Sequence, residues 1–190
     1  RQDHALLELL WRWARGQLPI DITRVISNHT DAEAAVRSFD VPFHHVPVDP
    51  GNKIEAENTI IELLSDDTDL VVLARYMQIL SPDFVSHYPC KIINIHHSFL
   101  PAFIGADPYR RAAERGVKLI GATAHYVTQD LDEGPIIEQD VKRVSHRHDI
   151  HDLKEFGRDI ERNVLARAVR WHAEDRIILH QDRTIVFAEW

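Results

Sequence analysis

An asparagine and a histidine two positions apart, Asn94 and His96, stand in the run Lys91-Ile92-Ile93-Asn94-Ile95-His96-His97-Ser98-Phe99-Leu100-Pro101. The run opens as an apolar strand and ends in a proline-punctuated loop. Side chains alternate faces along a strand, so Asn94 and His96 share one face while Ile93 and Ile95 share the other. An amide able to donate to a developing oxyanion thus lies beside an imidazole, a group able to accept and return a proton, as acyl or carbonyl chemistry requires. The stretch Thr128-Gln129-Asp130-Leu131-Asp132-Glu133-Gly134 offers several carboxylates, and Asp132 is the candidate to orient the imidazole. From residue types alone, Asn94, His96 and Asp132 could form a hydrolytic or acyl-transfer site; a histidine at a strand end can equally be hydrogen-bonded and inert. His125, with Thr123 on the same face of a later strand, could orient the Asp132 loop, touch the substrate, or be a satisfied buried histidine.

Thirteen histidines raise the question of a metal. His146, His148 and His151 are closely spaced, but they fall in a charged connection and lack the defined ligand spacing of a catalytic site, so they are assigned to solvent. Cys90 alone can build neither a disulfide framework nor a cysteine zinc site, which makes a reducing cytoplasm the natural home. Beside Pro89 it reads as a small structural residue. A net charge of −8 over 190 residues argues against a nucleic-acid surface. Arg110, Arg111, Arg115 and Lys118 cluster locally and read as a solvated helix face, with an anionic small molecule as the other reading. The longest apolar runs, such as Leu70-Val71-Val72-Leu73-Ala74, are too short to cross a bilayer.

The elements that must position these residues follow from periodicity. With 44% hydrophobic and 27% charged residues, the chain fits one domain with a sizeable core. Leu6, Leu7, Leu10, Trp11 and Ala14 predict a helix capped by Asp3 and stopped by Gly16. A strand over 22–27, a helix capped by Thr30 or Asp31 through Ser38, a strand over 43–48 and a helix over 53–64 follow. The run from Asp69 to Ala74 reads as a central parallel strand buried on both faces. Ser81-Pro82 starts a short helix. After the Lys91 strand come a helix over 108–115 closed by Gly116, a strand over 119–127, and a strand over 135–144 that Pro135 marks as antiparallel or at an edge. Ile160, Val164, Leu165, Ala168 and Trp171 define a long helix within 149–175, and Gln181-Asp182-Arg183 turns a closing hairpin. The alternation predicts an α/β fold with an open, mostly parallel, doubly wound, Rossmann-like sheet, whose ligands bind outside the carboxyl ends of strands. Such folds lead with a strand, and this chain opens on a helix; a leading strand ahead of it is expected.

The motifs Asn94-Ile95-His96-His97-Ser98-Phe99-Leu100-Pro101 and Asp130-Leu131-Asp132-Glu133-Gly134-Pro135 resemble the formyl-transfer family that includes glycinamide ribonucleotide formyltransferase. Within it the chain resembles the formyltetrahydrofolate deformylases over nearly its whole length, through Leu73-Ala74-Arg75-Tyr76-Met77-Gln78-Ile79-Leu80-Ser81, Gly116 to Thr128, and Gly157-Arg158-Asp159-Ile160-Glu161 through Trp171-His172. The resemblance implies a single catalytic domain of the formyltransferase type over residues 1–190, preceded in the family by an ACT-type domain and a first strand that these residues do not include. It implies hydrolysis of 10-formyltetrahydrofolate to tetrahydrofolate and formate in one-carbon and purine metabolism, with Asn94, His96 and Asp132 catalytic. Met77, Gln78, Ile79 and Leu80, with Thr128, Gln129 and Asp130, would line the pterin pocket, and Ser98 and His125 would support the site. No cofactor or metal is expected beyond the folate substrate, and no nucleic-acid or membrane partner; a cytoplasmic homo-oligomer is expected. His97 and Glu133, where transferases typically carry proline and glycine, favour water over an amine as acceptor. Formyl transfer to an amine such as glycinamide ribonucleotide, and a folate-binding module without turnover, are the competing readings. Arg110-Arg111 departs from the His-Gln pair of the family.

Overall fold

The computed structural model describes residues 2–64, 68–88, 91–100 and 108–188. Along the chain run α1 (His4–Ala14), β1 (Val25–Ser27), α2 (Glu33–Arg37), β2 (Phe43–His45), α3 (Lys53–Leu64), β3 (Val71–Leu73) and α4 (Pro82–His87). Then come β4 (Ile92–His96), α5 (Pro108–Arg115), β5 (Leu119–Tyr126), β6 (Ile136–Arg143), α6 (Ile150–Ala173), β7 (Ile177–His180) and β8 (Arg183–Val186). Local chemistry explains several boundaries. Ser81 caps α4 by accepting from the Phe84 amide at 3.1 Å, with Pro82 at the first helical position. Asp149 and Asp152 form a reciprocal capping box at the start of α6. Gly116 ends α5 in the left-handed region, at φ +62°. Asp3 precedes α1 but makes no side-chain cap bond, and α2 starts after Ala32 instead of at a Thr30 or Asp31 cap.

The pairing is parallel within β1–β2 and within β3–β4, and antiparallel from β4 to β5 and from β5 to β6. The reversal therefore comes one strand earlier than Pro135 suggests, although β6 is antiparallel as expected. Helices cover both faces of the sheet. Ile93 and Ile95 of β4 pack with Leu9 of α1 and with Val164, Leu165 and Val169 of α6, whereas Ile92 packs with Ala56 and Ile60 of α3 and Phe84 of α4. Full burial of an aliphatic side chain of this size contributes about 1.5–3 kcal/mol, so the alternation along β4 is strongly enforced.

One edge of β1 and one edge of β3 have no strand partner among the described residues. Both line a cleft of about 1550 Å³ whose walls include Leu9, Ile60 and Phe84. This opening explains a departure from expectation: β3 covers only Val71–Leu73 and is half-buried throughout, although its sequence reads as a strand buried on both faces. The same holds for β1, expected over 22–27 and found over Val25–Ser27.

Candidate active site

β4 carries the first two candidate residues. Leu73 of β3 lies opposite Asn94 on one side, and His125 of β5 lies opposite it on the other. His125 is 2% exposed; its Nδ1 lies 2.9 Å from the Tyr126 carbonyl oxygen, and its Nε2 lies 3.3 Å from the Asn94 amide nitrogen. A carbonyl can only accept, so the proton belongs on Nδ1 and Nε2 accepts from Asn94. Burial lowers the proton affinity of His125, more than its bond to Tyr126 and the Asp132 charge raise it, which keeps Nε2 free for this role. The contacts fit a buried, hydrogen-bonded histidine close to the Asp132 loop, and they add a role not foreseen from the sequence, that of orienting the Asn94 amide.

His96 is 7% exposed, with Nδ1 3.3 Å from Asp132 Oδ2. Its Nε2 is buried and has no hydrogen-bond partner among the described residues. Asp132 Oδ1 lies 3.7 Å from His125 Nε2. The hydrogen bond with His96 holds the Asp132 carboxyl below its usual range, against the opposing effect of burial, and the charges of His96 and His125 add to it. Asp132 is thus an anion at neutral pH. It sits at φ +57°, a left-handed conformation that costs a non-glycine residue on the order of 1–3 kcal/mol and persists where the surroundings over-determine it.

The Asp132 loop reaches His96 by a route that differs from the expected one. Were β5 parallel to β4, the loop would leave at the same carboxyl end. Because β5 is antiparallel, its last residues lie beside the first half of β4, with Val127 N donating to Ile92 O at 2.9 Å. The loop therefore has to fold back over the sheet face to bring Asp132 to the imidazoles. Gly134 permits the fold-back: a Cβ there would lie 1.8 Å from the Tyr126 carbonyl oxygen. Thr128, Gln129 and Asp130 are exposed along this loop, with the Thr128 hydroxyl donating to the Asp130 carbonyl at 3.2 Å.

The segment after β3 leaves beside Asn94. Met77 and Ile79 are exposed, and Gln78 and Leu80 are half-buried. Met77, Gln78 and Leu80 also border the large cleft, which Asn94, His96 and Asp132 do not line. Ser98 is buried, and its carbonyl accepts from Thr123 Oγ1 at 3.0 Å. The same hydroxyl accepts from Leu100 N at 3.1 Å and from Gln139 Nε2 at 2.9 Å. Thr123 and Gln139 thereby clamp the backbone that follows His96. Periodicity places Thr123 beside His125 but not this clamp; a threonine inside a buried apolar strand is the signal that could have found it. His97 also departs from expectation. Alternation would send it to the face opposite His96, but the strand ends at His96, and the two rings stack with centroids 5.1 Å apart.

Among the described residues, ligand atoms of Asp149, His151 and Asp152 approach one another within 4.8 Å, but the two carboxylates are engaged in the capping box of an exposed helix start. No helix among the described residues is long and apolar enough to cross a membrane. Cys90 and Pro101, with the rest of the loop through residue 107, lie outside the described residues.

An amide fixed by one histidine, and a second histidine held by a carboxylate with its outer nitrogen unengaged among the described residues, is an arrangement able to support attack on a carbonyl carbon. The chain belongs to the formyl transferase family, whose sequence profile matches residues 2–169. Within that family it is 62% identical to the formyltetrahydrofolate deformylase of Mycobacterium tuberculosis, over 98% of this chain and 60% of that protein. The crystal structure of a formyltetrahydrofolate deformylase from Pseudomonas syringae superposes with a TM-score of 0.96 at 54% identity, covering 99% of this chain and 63% of that one. Glycinamide ribonucleotide transformylase 1 from Symbiobacterium toebii gives 0.90 at 32% identity, covering 97% and 89%. The chain thus spans about 60% of the length of these mycobacterial relatives.

Proposed function

We propose that the protein hydrolyses 10-formyltetrahydrofolate to tetrahydrofolate and formate, with Asn94, His96 and Asp132 as the catalytic residues. The observation that carries this reading is the Nε2 of His96, which has no partner among the described residues, while a carboxylate already holds Nδ1. Asp132 keeps the proton of the neutral imidazole on Nδ1. Nε2 then takes a proton from water as the water oxygen bonds to the formyl carbon. The carbonyl electrons move onto oxygen, where the second N–H of the Asn94 amide and the new imidazolium receive the charge. Collapse of the tetrahedral adduct breaks the bond from carbon to N10, the amine nitrogen regains a proton from His96, and formate leaves. A base of this kind contributes about 10²- to 10⁴-fold in rate, and an oxyanion donor about 2.7–4 kcal/mol. Met77 to Leu80, Thr128 to Asp130, Ser98 and His125 form or support the pterin pocket in this reading, which needs no cofactor beyond the folate and places the enzyme in the cytoplasm as a homo-oligomer.

Incubation with 10-formyltetrahydrofolate, with and without glycinamide ribonucleotide, tests the assignment. Formate release at the same rate in both arms is the expected outcome. Formyl transfer that needs the amine would replace hydrolysis by transfer, and folate binding with no product in either arm would make the protein a binding module.

We further propose that one parallel strand of the whole protein, ahead of α1, lies between β1 and β3 and fills the cleft. Two facing strand edges and an apolar floor support it, since unpaired edges of this kind are otherwise sites of unwanted association. An intact mass above 22.0 kDa, with the β1 and β3 amides protected from hydrogen exchange, is expected of the protein from its natural source. A mass of 22.0 kDa with those amides exchanging at once would sink the idea.

A further inference from the structure

A column of polar side chains stands behind the stacked imidazoles, and hydrolysis as written above does not use it. The His97 ring faces Tyr109 of α5, with centroids 6.3 Å apart. The Tyr109 hydroxyl donates to Glu161 Oε1 at 2.9 Å. Glu161, on α6, is 1% exposed; its Oε2 meets His4 Nε2 of α1 at 2.8 Å and Arg75 Nε at 3.6 Å. Gly157, one turn before Glu161, leaves room for the tyrosine, because a Cβ there would lie 1.9 Å from the Tyr109 oxygen. Three side chains, from α1, α5 and the segment after β3, thus converge on one carboxylate, which lies among the apolar residues of α6, Ile160, Val164 and Leu165.

We propose that Glu161, acting through Tyr109, holds the His97 ring beside His96, at a 30° tilt, and so fixes the plane in which His96 meets Asp132. Glu161, Tyr109 and His97 are then positioning residues, and the inference rests on His96 being the base in the reading above. The need for them is geometric. The ring torsion of a histidine is broad, and among the described residues His96 has one polar anchor, at Nδ1. A flat neighbour 5.1 Å away restricts that torsion, provided that the neighbour is itself held. His97 follows the last residue of β4 and has no strand pairing to hold it. Tyr109 supplies the support, and the bond to Glu161 with the gap at Gly157 sets where Tyr109 stands. Burying a carboxylate is costly unless it is fully paired, so an apolar residue would pack more cheaply at this place on α6. The charges suit the role. Burial drives the His97 pKa down to about 4, and the positive charges of Arg75 and His96 add to this against Glu161 and Asp132, so His97 stays neutral when His96 takes up a proton. Burial alone would raise the Glu161 pKa, but the hydrogen bond with His4 and the charge of Arg75 keep the carboxyl below its usual range.

Tyr109→Phe removes only the hydroxyl, and Glu161→Gln removes only the charge. Each is expected to lower kcat for formate release about tenfold, with KM within about twofold, as a small misplacement of a catalytic group does. The double variant should be no slower than the slower single variant, because both act along one path. In the free protein, the ¹⁵N signals of His96 should move from a single tautomer towards a mixture in Tyr109→Phe. A purely structural role would leave those signals in place, so unchanged His96 signals overturn the proposal whether or not kcat falls, as does a kcat within twofold of the parent. Should the parent release no formate, the hydrolytic reading fails, and the ¹⁵N signals still decide whether the column orients His96.

Discussion

Asp132→Asn is expected to cut formate release by about two to four orders of magnitude, with the melting temperature within a few degrees of the parent. The introduced amide keeps the size of the carboxylate and loses its charge. Its NH₂ group would donate to His96 Nδ1, which forces the ring proton onto Nε2, the nitrogen that has to receive a proton from water. The imidazolium formed during attack would also lose the anion 3.3 Å away. Asn94→Ala removes the proposed oxyanion donor and leaves His125 Nε2 without the amide 3.3 Å from it; a loss of about 10²- to 10³-fold is expected. Steady-state formate release, with circular dichroism to establish the fold, checks both. Turnover within threefold of the parent in either folded variant would remove the trio from the mechanism.

Gly134→Ala should be nearly as damaging, although Gly134 has no side chain to take part in the chemistry. The Cβ would stand 1.8 Å from the Tyr126 carbonyl oxygen, far inside contact distance, and the obstacle is backbone within β5 rather than a side chain that can swing aside. The loop has to lift, and Asp132 two residues earlier has to lift with it. Separating Asp132 from His96 removes the anchor of the base, so a loss of about 10²-fold in kcat is expected, together with about 1–3 kcal/mol of stability from overpacking. Denaturant unfolding and formate release measured on one preparation decide the matter. A variant as stable and as active as the parent would show that the loop does not need its close approach to β5.

The residues of the site were legible because they are bound to short-range rules. A period of two puts Asn94 and His96 on one face, and that face is the one observed. Ser81-Pro82, Lys53 to Leu64 and Gly116 bound their helices where cap and periodicity chemistry place them. The motifs around Asn94 and Asp132 led to the family that the profile and the solved structures establish. Strand lengths were less legible: β1 and β3 are shorter than expected, and β3 is more exposed than its apolar run predicts, since burial depends on the neighbour across an edge, and here that edge opens on a cleft.

Asn94 and His96 could be paired from the linear chain, because alternation is a property of a few neighbouring positions, whereas Asp132 was one of several carboxylates in its loop until the family motif singled it out. How they meet was decided in three dimensions. The antiparallel course of β5 makes the Asp132 loop cross the sheet face, the backbone approach at Gly134 holds it there, and a carboxylate 65 residues beyond His96 (161 − 96) closes the column behind the rings. Each of these depends on which strand edge or helix face lies opposite, and sequence spacing carries no measure of that distance.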